Sequence, residues 1–160
     1  MHIRNVRSSD YEKISPLINK WWGGRAMEEK LPKLFFVHFQ PTSFIVEDDE
    51  VIIAFLIGFL SQTNTEEAYI HFVGVDPEYR NRNIGTQLYE RFFQTAASYD
   101  RSVIKAITSP INKASIAYHT RLGFAVETGD KRIDGIDIHS NYDGNKKDRV
   151  LFCKKLRQSR

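Results

Sequence analysis

The feature that most constrains this chain is Val51–Leu60, VIIAFLIGFL, a run with no polar side chain. A helix crossing a membrane needs roughly 20 such residues, so the run is too short to span one. It predicts a strand, Val51–Ser61, in the middle of a sheet covered on both faces. Ser43–Glu47 precedes it as a second strand, and Asp48-Asp49-Glu50 between them reads as a tight hairpin. Gln62–Glu67 is a polar turn, and Ala68–Val75 is the next strand.

The period then changes. Ile84, Leu88 and Phe92 recur every fourth residue, with Tyr89, Phe93 and Ala96 beside them, which is the buried stripe of a helix. Ser102–Thr108 reads as a strand and Asn112–Leu122 as a short helix capped by Gly123. Phe124–Glu127 and Arg149–Lys154 read as closing strands, and Asp130–Asp148 as a long loop or hairpin tip. Upstream, Ile3–Arg7 is a short strand. Ser8, Ser9 and Asp10 offer capping side chains to a helix through Ile14, Leu17, Ile18 and Trp21 that Gly23-Gly24 ends. A second helix is expected over Met27–Phe39, with Pro32 in its first turn or at a kink.

Ala68–Thr108 is thus a strand–helix–strand crossover, expected to be parallel and right-handed, while the earlier hairpins are antiparallel. The fold class is α/β, with a mixed, mostly antiparallel central sheet, one parallel strand pair and helices on both faces. The 160 residues contain no repeat, linker or low-complexity stretch, so one domain over 1–160 is expected.

Composition narrows the function. The single cysteine, Cys153, allows neither an internal disulfide nor a cysteine-based zinc cluster. The first residues are charged and lack the apolar core of a signal peptide. By elimination a cytoplasmic protein is expected, with no membrane partner. The net charge is +3, but the basic residues are spread along the chain and no recognition motif accompanies them. Nucleic acid is therefore not an expected partner.

The chemistry is concentrated in Val73–Leu88. A buried strand ends, and a short loop opens directly into a helix, presenting unpaired N–H groups at the positive helix end. That arrangement binds anions, a pyrophosphate above all. Gly85 permits close approach to the backbone. Asn83 can adopt the left-handed conformation, and Arg80 and Arg82 can add charge-assisted hydrogen bonds. The loop lacks the GKS or GKT of a nucleotide P-loop and the full GxGxxG of a dinucleotide site.

Arg80-Asn81-Arg82-Asn83-Ile84-Gly85 resembles the Q/R-x-x-G-x-G/A acyl-CoA signature of the GNAT superfamily, with Asn83 in place of the first glycine. Asn112-Lys-Ala-Ser-Ile-Ala-Tyr-His-Thr-Arg-Leu-Gly-Phe124 is similar to the same family's Asn-x-x-(Ala/Ser)…Leu-Gly-Phe block. The order of elements also fits from about residue 3 to 156.

The resemblance implies a GNAT-like N-acetyltransferase that uses acetyl-CoA and no metal. The parallel strands would splay apart, with pantetheine pairing to the backbone of Val73 and Val75. The pyrophosphate would lie on the N–H groups around Arg80–Thr86, including those of Ile84 and Thr86. Asn112 and Ser115 would contact the cofactor. A neutral primary amine, from a small molecule or a peptide, would attack the thioester directly in a ternary complex, and a backbone N–H near Val73 would stabilise the oxyanion.

The family's acid, usually a tyrosine, aligns with His119, one residue after Tyr118, so either side chain is a candidate. The base candidate is His71, on a strand face expected to carry Tyr69, His71 and Val73 in alternation. The alternative for His71 is a structural sheet histidine. For the acceptor, Trp22, Arg25 and Tyr69 are the candidate contacts. Dimers are common in the family, so a homodimer is possible on that ground alone. Because these catalytic positions depart from the family's usual residues, a non-catalytic acyl-CoA-binding regulatory module is the alternative function. Gly85→Glu is expected to abolish acetyl-CoA binding in calorimetry by filling the phosphate site with a like charge, and normal affinity would refute the loop assignment.

Overall fold

A computed structural model describes residues 1–157; residues 158–160 of the expected 1–160 unit lie outside the described residues. The elements are β1 (His2–Asn5), α1 (Asp10–Trp21), α2 (Leu34–His38), β2 (Phe44–Asp48), β3 (Val51–Leu60), β4 (Glu67–Val75), α3 (Ile84–Ser98) and β5 (Val103–Thr108), followed by α4 (Lys113–Arg121), β6 (Ala125–Val126), β7 (Lys131–Ile133), β8 (Ile136–Ile138) and β9 (Val150–Lys155). Seven strands form one sheet in the order β1-β2-β3-β4-β5-β9-β6, and β7-β8 make a separate hairpin inside the expected long loop. Every pairing in the main sheet is antiparallel except β4 with β5, which is parallel.

β3 is central because both of its faces are apolar. Ile53, Ala54 and Leu56 pack with Leu88 and Phe92 of α3. Ile52, Phe55 and Ile57 pack with Ile14 and Ile18 of α1 and Phe36 of α2. The helices therefore lie on opposite faces, α1 and α2 on one, α3 and α4 on the other. The β2–β3 hairpin closes in two residues, Asp49 and Glu50, at φ 50° and 65°. That is the geometry whose twist matches the flanking strands.

Two local expectations need correction. The helix expected over Met27–Phe39 is split into a 3-10 turn, Glu28–Lys30, and the short α2. Leu31 between them precedes Pro32 and sits at φ −132°, ψ 71°; the proline ring disfavours helical backbone at the residue before it. At the start of α1, Ser9 makes no side-chain cap. Instead Asp10 accepts the Arg7 N–H at 2.7 Å and two Arg4 guanidinium bonds at 2.8 and 2.9 Å. Arg4 also bonds Glu47, so one guanidinium ties β1 to both α1 and β2. Among the described residues, no helix is long and apolar enough to cross a membrane.

Asp10 is only 1% exposed. Burial pushes its carboxyl up, but the Arg4 and Arg7 bonds and nearby positive charge hold it below its ordinary 3.8. A depressed carboxyl stabilises the fold above its unfolded-state value, and that contribution is lost as pH falls through the folded-state value. Arg4→Met, which strands Asp10, is expected to lower the unfolding free energy by about 3 kcal/mol in denaturant titrations at neutral pH. The variant is also expected to lose the part of the stability decline that begins near pH 3.8; an unchanged denaturation midpoint would count against this role for the pair.

Candidate active site

The parallel pairing of β4 with β5 is brief. Glu67, Ala68 and Tyr69 pair with Val103, Ile104 and Lys105, and among the described residues no further pair follows. β5 continues alongside β9 to Thr108, while β4 continues alongside β3 to Val75. The two strands thus part, leaving the facing backbone edges of β4 and β5 open.

A second irregularity lies in β4 itself. The register steps from Ile57–Phe72 to Gly58–Ile70, so His71 is an unpaired bulge residue. The bulge overturns the expected alternation of Tyr69, His71 and Val73 on one face. His71 stacks on Phe35 at 4.3 Å and bonds the Lys30 carbonyl, so it faces α2. Tyr69 stacks on Phe59, and Phe59 packs on Phe39. Val73 and Val75 instead pack into the core on the α3 side.

β4 runs through Asp76, whose side chain accepts the Glu78 N–H, into a loop with two left-handed asparagines. Asn81 and Asn83 both sit at φ 65°, a conformation that asparagine tolerates better than other side-chain-bearing residues. Asn83 was expected there; Asn81 was not, although it is the same residue type in the same loop. α3 then begins, and Gln87 is the first residue to donate along it, to the Asn83 carbonyl at 3.1 Å. Among the described residues, the N–H groups of Ile84, Gly85 and Thr86 have no acceptor, as helix geometry requires of a first turn.

The two arginines of the loop have protein partners. Arg80 donates to the Trp21 carbonyl at 3.1 Å, where the end of α1 favours a cation. Arg82 lies over the Tyr79 ring at 5.0 Å. Asn112 caps α4 by accepting the Ser115 N–H, so these two expected cofactor contacts hold one another.

Tyr118 reaches the start of α3. Its hydroxyl is 3.1 Å from the Thr86 hydroxyl, and a Cβ on Gly85 would stand 3.0 Å from it. Gly85 thus leaves room for this approach. Burial pushes the Tyr118 hydroxyl up, although the Thr86 bond partly opposes this.

His119, the other candidate acid, is buried at 6% exposure. α4 turns Ile116 and His119 inward together, and a residue one position away points about 100° aside. His119 stacks on Phe152 at 4.3 Å. Its Nδ1 donates to the Ser115 carbonyl at 2.8 Å, so its Nε2 accepts the buried Tyr89 hydroxyl at 2.9 Å. Burial holds its pKa below 6.5. Both imidazole nitrogens are thus engaged by protein partners.

On the other sheet face, where α1 and α2 stop, lies a cavity of about 360 Å³ lined by Phe59, Tyr69, Lys105, Glu127 and Tyr142 among others. Of the expected acceptor contacts only Tyr69 lines it. Trp22 packs on Phe72 and over Gly74, and Arg25 is exposed beyond the end of α1. Lys105 and Glu127 are charged positions in otherwise apolar strand sequence; that mismatch was the available signal, and sequence reasoning missed it.

Residues 6–124 match the Acetyltransferase (GNAT) family. The chain belongs to that family. GNAT relatives include the L-2,4-diaminobutyric acid acetyltransferase of Shouchella clausii, 25% identical over 57% of this chain and 51% of that protein. The chain matches about half the length or less of the two such diaminobutyrate enzymes. The solved structure of Ard1 from Thermoplasma volcanium aligns at TM-score 0.78 with 15% identity, covering 98% of this chain and 97% of that one. The Salmonella typhimurium protein yncA, solved with its cofactor acetyl-CoA, aligns at 0.71 with 18% identity over 99% and 95%. At such identities the structures establish the GNAT fold.

The left-handed loop gives a test free of any ligand. Asn83→Val is expected to destabilise the protein by about 1–2 kcal/mol, because a β-branched side chain is strained there. Asn83→Gly should not, and equal melting of the two variants would refute the strain argument.

Proposed function

We propose that the protein is an N-acetyltransferase that moves the acetyl group of acetyl-CoA to a primary amine by direct attack in a ternary complex. The observation that carries this reading is the convergence of three features. They are the parted β4 and β5 edges, the unpaired N–H groups at the start of α3, and the Tyr118 hydroxyl beside them. The residues present fit the co-substrate: open strand edges suit a pantetheine amide chain, and Gly85 leaves the helix N-terminus accessible to a pyrophosphate. Acetyl-CoA supplies a thioester carbon that accepts the amine nitrogen as the C–S bond breaks.

The chain's own groups then have distinct roles. Val73 and Val75 offer backbone partners to the pantetheine, and the N–H groups of Ile84, Gly85 and Thr86 hold phosphate. Backbone N–H near the bulge at His71–Val73 polarises the carbonyl. Tyr118 gives its proton to the departing thiolate. His71 takes the proton lost by the amine, directly or through a water. Its Nε2–H donates to the Lys30 carbonyl at 2.6 Å, which leaves Nδ1 as the basic nitrogen. Burial lowers its pKa below 6.5, so the basic form dominates at neutral pH. His119 fixes the rotation of α4 and acts through Tyr118.

A non-catalytic acyl-CoA-binding module is the second reading. Tyr118 and His71 favour the enzyme, since binding alone requires neither an acid nor a base. Among acceptors, the diamino acid in the relatives' names is the first to assay. Thiol release that depends on an added amine separates the two readings.

Tyr118→Phe is expected to lower kcat about 100-fold and leave acetyl-CoA affinity within a factor of about three. The rate should fall at low pH as His71 is protonated, with an acidic limb centred below 6.5. If His71→Ala retains that limb, the base lies elsewhere.

A further inference from the structure

A threonine in an α-helix ordinarily gives its hydroxyl proton to the carbonyl four residues back. Thr95 does so to Arg91 at 2.9 Å, and Thr120 to Ile116 at 2.8 Å. Thr86 does not. It lies in the first turn of α3, so four positions back is Arg82, in the loop before the helix. Its hydroxyl instead meets the Tyr118 hydroxyl at 3.1 Å, and among the described residues neither oxygen makes another hydrogen bond.

The phenol ring is held from both helices. Tyr89 of α3 meets it edge-on at 5.6 Å between centroids, and the Arg121 guanidinium of α4 lies 5.9 Å from its centroid. Burial pushes the Tyr118 hydroxyl up and Glu90 adds to this, while the Thr86 bond and Arg121 oppose both.

Two protons can be placed on this contact in two ways. With Tyr118 donating, its proton points at Thr86. With Thr86 donating, the phenol proton is left for the gap between β4 and β5. Once Tyr118 has given that proton away its oxygen can only accept. Donation by Thr86 therefore serves both states, and the bond gains charge assistance as the phenolate forms. An interaction that strengthens along the reaction raises the rate and leaves ground-state affinity alone.

We infer that Thr86 is a positioning residue whose hydroxyl donates to the Tyr118 oxygen, turning the phenol proton toward the gap and holding the phenolate that forms. Tyr118 passes its proton to the sulfur that keeps the electron pair of the broken C–S bond, and its oxygen regains a proton from solvent. Thr86 keeps its own. The inference rests on the acetyltransferase reading above, which uses only the Thr86 N–H.

Valine at this position keeps the branched shape and the backbone N–H and removes the hydroxyl. Thr86→Val is expected to lower kcat about tenfold, the difference between a charged and a neutral hydrogen bond, with acetyl-CoA affinity in calorimetry retained. Thr86→Ser should restore kcat. In a Tyr118→Phe background Thr86→Val should cost nothing further, because no phenol proton remains to be oriented. A second measurement needs no cofactor. A ring-fluorinated tyrosine placed at position 118 of the full chain is titrated by fluorine NMR. Its pKa should rise in Thr86→Val, which loses a donor to the phenolate, and return in Thr86→Ser, with Arg121 and Glu90 unchanged throughout. A loss that falls on acetyl-CoA affinity with kcat intact would give the Thr86 hydroxyl to phosphate and overturn the inference. An unmoved titration, a serine variant no better than valine, or full additivity with Tyr118→Phe would overturn it too. Wild-type turnover by Tyr118→Phe would overturn the acid reading and the inference with it. A loss of about 100-fold in that variant beside an unmoved titration would overturn the role of Thr86 alone.

Discussion

The site depends on β4 keeping its antiparallel partner β3 while losing its parallel partner β5 after three residue pairs. Backbone N–H and C=O groups require partners, and a strand that leaves its neighbour without covering the gap exposes an edge for an extended chain to occupy. The bulge at His71 lies in this same stretch. It reverses which side chains face which layer, so His71 joins Phe35 and Lys30 while Val73 and Val75 remain with the α3 core. One irregular strand therefore directs His71 and Val73 to opposite faces of the sheet.

On the α3 face the arrangement is held from α3. Its first turn leaves its N–H groups unpaired, and two left-handed asparagines set the path of the chain into it. Tyr118 approaches because Gly85 has no side chain and because His119 is locked inward. The Tyr89 hydroxyl, the Ser115 carbonyl and the Phe152 ring together fix the imidazole. With His119 held inward, the residue before it, Tyr118, reaches Thr86 at the start of α3.

The opposite sheet face has a different character. An aromatic series runs from Phe35 and Phe39 through Phe59 to Tyr69, and beyond it the Lys105–Glu127 pair stands at the fork. Charges in a partly enclosed site interact more strongly than on an open surface.

Sequence alone determined the elements whose signals are local. The all-apolar run of β3, the four-residue stripe of α3, the turn read at Asp48–Glu50 and the strand–loop–helix around Gly85 depend on residues close together in the chain, and all were legible to within a residue. The family followed from two such local motifs at a fixed spacing. Tertiary structure alone decided the rest. The bulge at His71 depends on register with β3, and simple alternation misplaced Val73 relative to it. Which of Tyr118 and His119 turns inward depends on the rotation of α4, set by Tyr89 and Phe152 from distant strands and helices. Lys105 and Glu127 lie 22 positions apart and become a pair only because β5 and β6 both flank β9. Local patterning specifies an element, but which face of it meets which neighbour is fixed by long-range packing.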